Sequence, residues 1–94
     1  MRNIKALLLA EGLKAASNSH YNRFNVSHVA RACLCSRATV IVRFGSTTNF
    51  RTEVMREALR MNNLFVLAQG IIDKHPVTIV LDEEQRRIIL ESQL

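Results

Sequence analysis

Two short helical patterns on either side of a tight break constrain the fold of this chain more than any other feature. Asn25 and Ser36 are predicted to cap helices over about residues 26–32 and 37–44. A short polar side chain at either position can accept a hydrogen bond from the free backbone N–H groups of a first helical turn. Gly45 is predicted to end the second helix, because glycine adopts the left-handed backbone common at helix ends.

Helices are predicted for most of the remaining chain, because the full sequence contains only three glycines and one proline and is 48% hydrophobic. A first helix is predicted over about residues 3–17, where Gly12 allows a neighbouring helix to approach closely. A long fourth helix is predicted from one of residues 46–48 to about Gln69, and a last helix over about residues 83–92. The residues predicted to face the core are Leu8, Gly12, Ala15, Ala16, Val29, Ala30, Val40, Phe44, Phe50, Val54, Ala58, Met61, Phe65 and Ala68.

The end of the predicted fourth helix, LFVLAQGII, is apolar on nearly every side and must be buried on all sides. We expect a second subunit to cover it, through Leu64–Leu94. Residues 77–81, VTIVL, form the one β-like run, which is predicted to be either an extended connector or a strand paired between subunits. Asp82 and Gln85 match a capping box for the last helix.

These patterns predict an all-α fold in a single domain over residues 1–94, since a chain this short cannot form a second core. A three-helix helix-turn-helix domain over residues 1–46 is predicted to be followed by a dimerisation region over residues 47–94. That region consists of the long fourth helix and a short C-terminal oligomerisation segment. The N-terminal run indicates a helix and not a signal peptide, and no stretch approaches the roughly 18 apolar residues of a membrane span. We therefore expect a bacterial cytosolic protein without membrane contact.

Positive charge is concentrated in the first two thirds of the chain, whose net charge is +5. Residues 1–60 contain ten Lys or Arg against three Asp or Glu, whereas residues 61–94 contain three against five. Between Gly12 and Thr52 there is no acidic residue. A field of one sign attracts a polyanion, so the predicted partner is nucleic acid.

A helix-turn-helix explains why this charge surrounds the two short helices. Ala30 would lie where they cross, and the second helix would enter the major groove of double-stranded DNA with its first residues toward the base edges. Its predicted outward set is Arg37, Ala38, Thr39, Ile41, Val42 and Arg43. The arginines suit guanine edges or phosphates, while Ala38 and Thr39 suit thymine-methyl contacts and hydrogen bonds. The residues predicted to meet the DNA backbone are Asn25, Ser27, His28, Ser36 and Arg51.

The run FNVSHVARACLCSRATVIVRFGSTTNFRTEVMREAL resembles the DNA-binding end of TetR-type regulators, over about residues 4–60. The matching positions are Tyr21, Val29, Ala30, Cys33, Cys35, Ser36, Thr39, Val40, Phe44 and Phe50. The chain departs from that pattern at Leu34, where the family prefers glycine, at Ile41, where a tyrosine is usual, and at Thr48, where a lysine is usual. We expect the family's large ligand-binding domain to be absent, so the resemblance implies a compact, phage-like or plasmid-like regulator without a small-molecule inducer.

Cysteines such as Cys33 and Cys35 can bind a metal or form a redox pair, but the spacing of these two favours neither. A metal site needs two further ligands, and His20 and His28 do not complete a standard zinc pattern with them. The resemblance places both cysteines at small core positions. We therefore predict no metal and no cofactor.

The sequence predicts a homodimeric or tetrameric, sequence-specific DNA-binding regulator acting on an inverted or direct repeat. An alternative is a protein-interaction module on the same scaffold, such as an anti-repressor or an RNA polymerase adaptor, because Ile41 and Val42 are unusual on a groove-facing helix. An enzyme is not predicted, since the sequence contains no evident nucleophile–base pair, carboxylate pair or phosphate loop.

Overall fold

A computed structural model describes residues 3–94, and within this range the fold is all-helical, without strands. The helices are α1 Ile4–Asn18, α2 Val26–Ala32, α3 Arg37–Phe44, α4 Thr47–Arg60, α5 Leu64–Ile72, a 3₁₀ helix Pro76–Val80 and α6 Glu83–Glu91. Residues 1 and 2, which begin the predicted single domain, lie outside the described range.

Polar caps define where the helices begin, as the sequence predicted at three places. The Asn25 side chain accepts a hydrogen bond from the His28 N–H at 3.0 Å, and the Ser36 hydroxyl accepts one from the Thr39 N–H at 3.3 Å. Asp82 heads α6 in a complete capping box. Gly45 ends α3 at a φ of +93°. The predicted bounds of α2 and α3 and the capping box are confirmed.

The core forms where α1 and α4 cross. A Cβ on Gly12 of α1 would lie 2.7 Å from Val54 Cγ2, so the close approach predicted there is confirmed. Phe50 is fully buried, and its ring contacts those of Phe24 and Phe44 at centroid distances of 5.9 and 4.8 Å. α2 and α3 pack on this pair of helices through Ala30 and Val40, which are both 0% exposed.

The prediction of one long fourth helix is wrong, because α4 ends at Arg60 and α5 begins anew at Leu64. Between them, Asn62 adopts a φ of +53°, and the Asn63 side chain caps α5 by accepting a hydrogen bond from the Val66 N–H at 3.1 Å. Asparagine tolerates the left-handed backbone and is a favoured N-cap, so the Asn-Asn pair breaks the helix although the apolar pattern continues. Met61, predicted to be in the core, is 58% exposed.

The chain covers most of α5 itself, so the expectation that α5 is buried only by a second subunit is wrong, whereas the subunit contact stays a prediction. Val66, Leu67 and Ala68 are at most 5% exposed, under cover of α1, α4, α6 and the 3₁₀ helix. A Cβ on Gly70 would lie 2.8 Å from both Met55 Cε and Thr78 Cγ2, so these helices pack closely. Part of the α5 surface stays exposed, including Phe65, which was predicted to be in the core.

The β-like run after His75 forms neither a strand nor an extended connector, but the 3₁₀ helix. Pro76 stands at the first helical position, where its fixed φ suits a helix start. The His75 ring accepts a hydrogen bond from the Val77 N–H, and the Thr78 hydroxyl donates to the His75 carbonyl at 2.7 Å. Val77 and Thr78 are buried against α4 and α5, so tertiary packing overrides the β propensity of this run.

Candidate nucleic-acid interface

The outward side of α3 carries three rows of side chains, because residues four apart share a helix face. Val40 is fully buried and Phe44 half-buried, which fixes the inward side. The row opposite them contains Ala38 and Val42, and Val42 is 81% exposed. One flanking row contains Arg37 and Ile41, and the other contains Thr39 and Arg43. These six residues are called the α3 surface below.

The α3 surface brings together all six residues that the sequence predicted to face outward. Arg37, Ala38, Ile41, Val42 and Arg43 are exposed, and Thr39 is half-buried. The arginines that form ion pairs within residues 3–94 are Arg56, Arg60 and Arg87. Arg37 and Arg43 pair with none of the described carboxylates, so both guanidinium groups remain available to an external anion.

Ser36 serves mainly to start α3. Its hydroxyl accepts the capping hydrogen bond from the Thr39 backbone and shares a second hydrogen bond, of 3.3 Å, with the Thr39 hydroxyl. Both hydroxyl groups lie at the exposed beginning of α3. A ligand that meets this end of the helix therefore meets a fixed pair of hydroxyls.

The start of α2 presents a second group of predicted contacts. The Asn25 oxygen is engaged in capping, while the residue itself remains exposed. Ser27 is half-buried, and His28 is exposed beside a groove lined by Glu11 and Lys14 of α1. His28 therefore faces an acid as well as a base of α1.

Arg51 has a role in the fold that the sequence did not predict. Its guanidinium donates to the Tyr21 carbonyl at 3.1 Å and to the Phe24 carbonyl at 2.8 Å, and it lies 4.5 Å from the centre of the Phe24 ring. Burial and, second, repulsion from Arg37 lower the pKa of Arg51. Arg51 thus secures the loop between α1 and α2, so its donors are partly committed within the molecule.

Sequence reasoning missed two residues beside the end of α3. The Lys5 ammonium lies 5.4 Å from the centre of the Phe44 ring. Lys5 and Asn49, from the starts of α1 and α4, line one groove together with Arg43 and with the ion pair of Glu53 and Arg56. Lys5 lies 38 positions before Arg43 in the sequence, so only the fold brings these groups together. The signal available was the general excess of basic residues in this half of the chain.

The turn between α2 and α3 contains Leu34, which stands where the TetR-type pattern has glycine. Leu34 has a φ of +59° and is 80% exposed, a conformation that costs a non-glycine residue about 1 kcal/mol.

Cys33 is buried, and the half-buried Cys35 donates from its backbone N–H and its thiol to the Ala30 carbonyl. No group of three or more His, Cys, Asp or Glu within residues 3–94 is placed to hold a metal ion.

A polar cluster joins the loop after α1 to the end of α5. The Tyr21 hydroxyl donates to Asp73 at 2.9 Å, and the Tyr21 N–H donates to the buried Gln69 side chain at 2.8 Å. Burial, followed by the hydrogen bond to Asp73, raises the pKa of Tyr21 to about 12. Burial also lowers the pKa of the neighbouring His75. This cluster and Arg51 hold the same loop from two sides.

No protein-family model, curated protein or solved structure matches this chain. The resemblance to TetR-type regulators therefore remains a prediction based on the residues quoted for it. No helix among the described residues is long and apolar enough to cross a membrane.

Proposed function

We propose that this chain is a sequence-specific DNA-binding regulator of transcription, in which α2, the turn and α3 act as a helix-turn-helix. The α3 surface carries this proposal, since it places two unpaired arginines on opposite flanks of one exposed helix. No acidic residue occurs between Gly12 and Thr52, a span that contains all of α2 and α3. DNA is the polyanion whose major groove accepts such a helix.

Each arginine has a defined task in this proposal. Arg37, at the start of α3, reaches the base edges, where a guanidinium can bind guanine through two hydrogen bonds. Arg43, about one and two thirds turns later, lines a groove with Lys5 and Asn49 and contacts a phosphate together with them. Arg51 is left out of the DNA contacts, because its guanidinium holds the loop between α1 and α2.

Further backbone contacts come from the starts of the two helices. Asn25, Ser27 and His28 at α2 and Ser36 at α3 are short or flexible polar groups on the basic half of the chain. Such groups fix the position of a protein on the duplex but do not distinguish sequences. We therefore expect their loss to weaken binding to all DNA alike.

The proposed regulator acts as a homodimer, with a tetramer as the alternative. Since the chain covers most of α5, the dimer contact rests on side chains that stay exposed. Phe65 and Ile72, which are 46% and 70% exposed, lie two turns apart on one face of α5, and Ile88 of α6 is 52% exposed. A two-fold dimer would place its two α3 helices in successive major grooves, about 34 Å apart.

A second candidate function is a protein-interaction module, such as an anti-repressor or an RNA polymerase adaptor. The observation that favours it is the exposure of two apolar side chains near one another in the sequence, Leu34 at 80% and Val42 at 81%. Large exposed apolar side chains are common where one protein binds another. In that case the purified chain would bind a regulator or polymerase subunit and ignore DNA.

Fluorescence anisotropy against a library of palindromic duplexes tests the proposed function. We expect selected duplexes to bind at least 1000-fold more tightly than random duplex at physiological salt, as is usual for specific binders. Affinity for the selected duplexes should fall steeply with salt, because contacts to phosphate release counterions. Equal affinity for every sequence would contradict a sequence-specific regulator.

A further inference from the structure

The chemistry of the α3 surface restricts which bases it can read. Adenine is typically read by Asn or Gln, and cytosine by Asp or Glu. Residues 36–44, SRATVIVRF, contain none of these four types. With Arg43 and Ser36 assigned to the DNA backbone, hydrogen-bonded readout from α3 is limited to Arg37, which suits guanine, and to the Thr39 hydroxyl, which is held by Ser36.

The most outward row of α3 is apolar. Val42 is 81% exposed, and Ala38, one turn earlier on the same row, is also exposed. Ile41 adds a further apolar side chain, 40% exposed, on the flank of Arg37. When a helix enters the major groove, its most outward row meets the base edges, so these methyl groups are placed against the bases and the arginines lie on either side.

We propose that Val42, with Ala38, reads the C5-methyl group of a pyrimidine in the major groove, beside the guanine contact made by Arg37. The C5-methyl is the apolar feature that the major groove presents to a protein. The inference rests on the DNA-binding function proposed above and names the feature of the operator that the same helix recognises. It assigns the exposed apolar row to base recognition and not to a protein partner.

Removing single methyl groups from the DNA tests this assignment. A duplex that the full-length protein selects is resynthesised with deoxyuridine in place of one thymidine at a time, which deletes the C5-methyl and leaves base pairing unchanged. We expect at least one position in each half-site to raise the dissociation constant about four-fold, the effect of one methyl group withdrawn from apolar contact. An unchanged dissociation constant at every position, in DNA that the protein selects from a library without 5-methylcytosine, overturns the inference and leaves the proposed function intact.

Two valine variants show whether Val42 makes the contact. Val42→Ala should bind the selected duplex more weakly, and the four-fold penalty for deoxyuridine should shrink toward none. Val80→Ala is the matched control, since Val80 is 72% exposed on the 3₁₀ helix and the chemical change is the same. Val80→Ala should bind the selected duplex with wild-type affinity and show the same four-fold penalty for deoxyuridine. An equal deoxyuridine penalty in wild type and Val42→Ala overturns the role of Val42.

The C5-methyl can come from thymine or from 5-methylcytosine, and selection separates the two sources. Parallel selections use a library with cytosine and one with 5-methylcytosine in its place. Enrichment from the unmethylated library, followed by sensitivity to deoxyuridine, assigns the methyl to thymine. Enrichment from the methylated library alone assigns it to 5-methylcytosine. If neither library yields a preferred sequence, the proposed function itself is contradicted, and this inference is overturned with it.

Discussion

A single side chain, Arg51 of α4, holds the loop between α1 and α2 in place. Its guanidinium bridges the carbonyls of Tyr21 and Phe24 and stacks on the Phe24 ring. The bridged loop leads directly into Asn25, which caps α2. An arginine can make both hydrogen bonds at once because its donors form a planar fork, whereas a lysine ammonium is a point charge.

We expect Arg51→Ala to lower the free energy of unfolding by about 2 kcal/mol, because two charge-assisted hydrogen bonds are lost. The thermal midpoint should fall by on the order of 10 °C. Arg51→Lys should lose most of the same stability, since lysine keeps the charge and cannot span both carbonyls. Arg31→Ala, at an exposed position of α2, is the control and should change stability little. If Arg51→Lys is as stable as wild type, the bridge is not what holds the loop.

At the scale of helices, the sequence was most informative where a polar residue starts a helix. Helix starts and ends depend on hydrogen bonds between residues a few positions apart, so they can be predicted from neighbouring residues. Examples are the caps at Asn25 and Ser36, the capping box at Asp82 and the helix end at Gly45. The outward set of α3 followed from the same bounds. The fold class and the composition of the α3 surface were therefore predictable.

The 3₁₀ helix was not predictable by the same reasoning, and the break between α4 and α5 was missed although its cap at Asn63 is local. The apolar stripe continues across Asn62 and Asn63, so periodicity alone joins the two helices, and the break depends on Asn63 reaching both Val66 and Ser17. The 3₁₀ helix depends on burial of Val77 and Thr78 against distant helices. The place of Lys5 beside α3 and the bridge made by Arg51 likewise depend on contacts between residues far apart in the sequence.

The contact between Tyr21 and α5 predicts a measurable titration. The chain has one tyrosine and no tryptophan, so absorbance at 295 nm reports the ionisation of Tyr21 alone. The folded protein should titrate with a pKa of about 12, against the ordinary value of about 10 in urea. The pKa of Tyr21 is higher in the folded protein than in the unfolded chain. The contribution of protonated Tyr21 to the free energy of unfolding is therefore complete below about pH 10 and declines as pH rises toward 12.

The variant Asp73→Asn separates the effect of the Asp73 carboxylate on the pKa of Tyr21 from the effect of burial. Removing the negative charge should lower the pKa of Tyr21 in the folded protein, although burial should keep it above 10. A Tyr21 that titrates near pH 10 in the folded wild type would show that this loop is not packed against α5 in solution.

At the scale of the whole molecule, the proposed dimer can be tested without truncation. Removing residues 71–94 would expose α5, since Val77, Leu81 and Ile89 are buried in the same core. Phe65→Glu with Ile72→Glu instead places two charges on one exposed face of α5. We expect wild type to be dimeric at micromolar concentration by light scattering and this double variant to be a folded monomer by circular dichroism. A monomeric wild type would contradict the proposed contact.

The central claim is that DNA meets the α3 surface, and binding of charge-matched variants to a selected duplex tests it most directly. Arg37→Ala with Arg43→Ala removes two charges from that surface, while Lys74→Ala with Arg87→Ala removes two exposed charges from the C-terminal third. The first pair should abolish the preference for the selected duplex and flatten the salt dependence, whereas the second should change both little. Equal losses in the two double variants, or none in either, would contradict the claim.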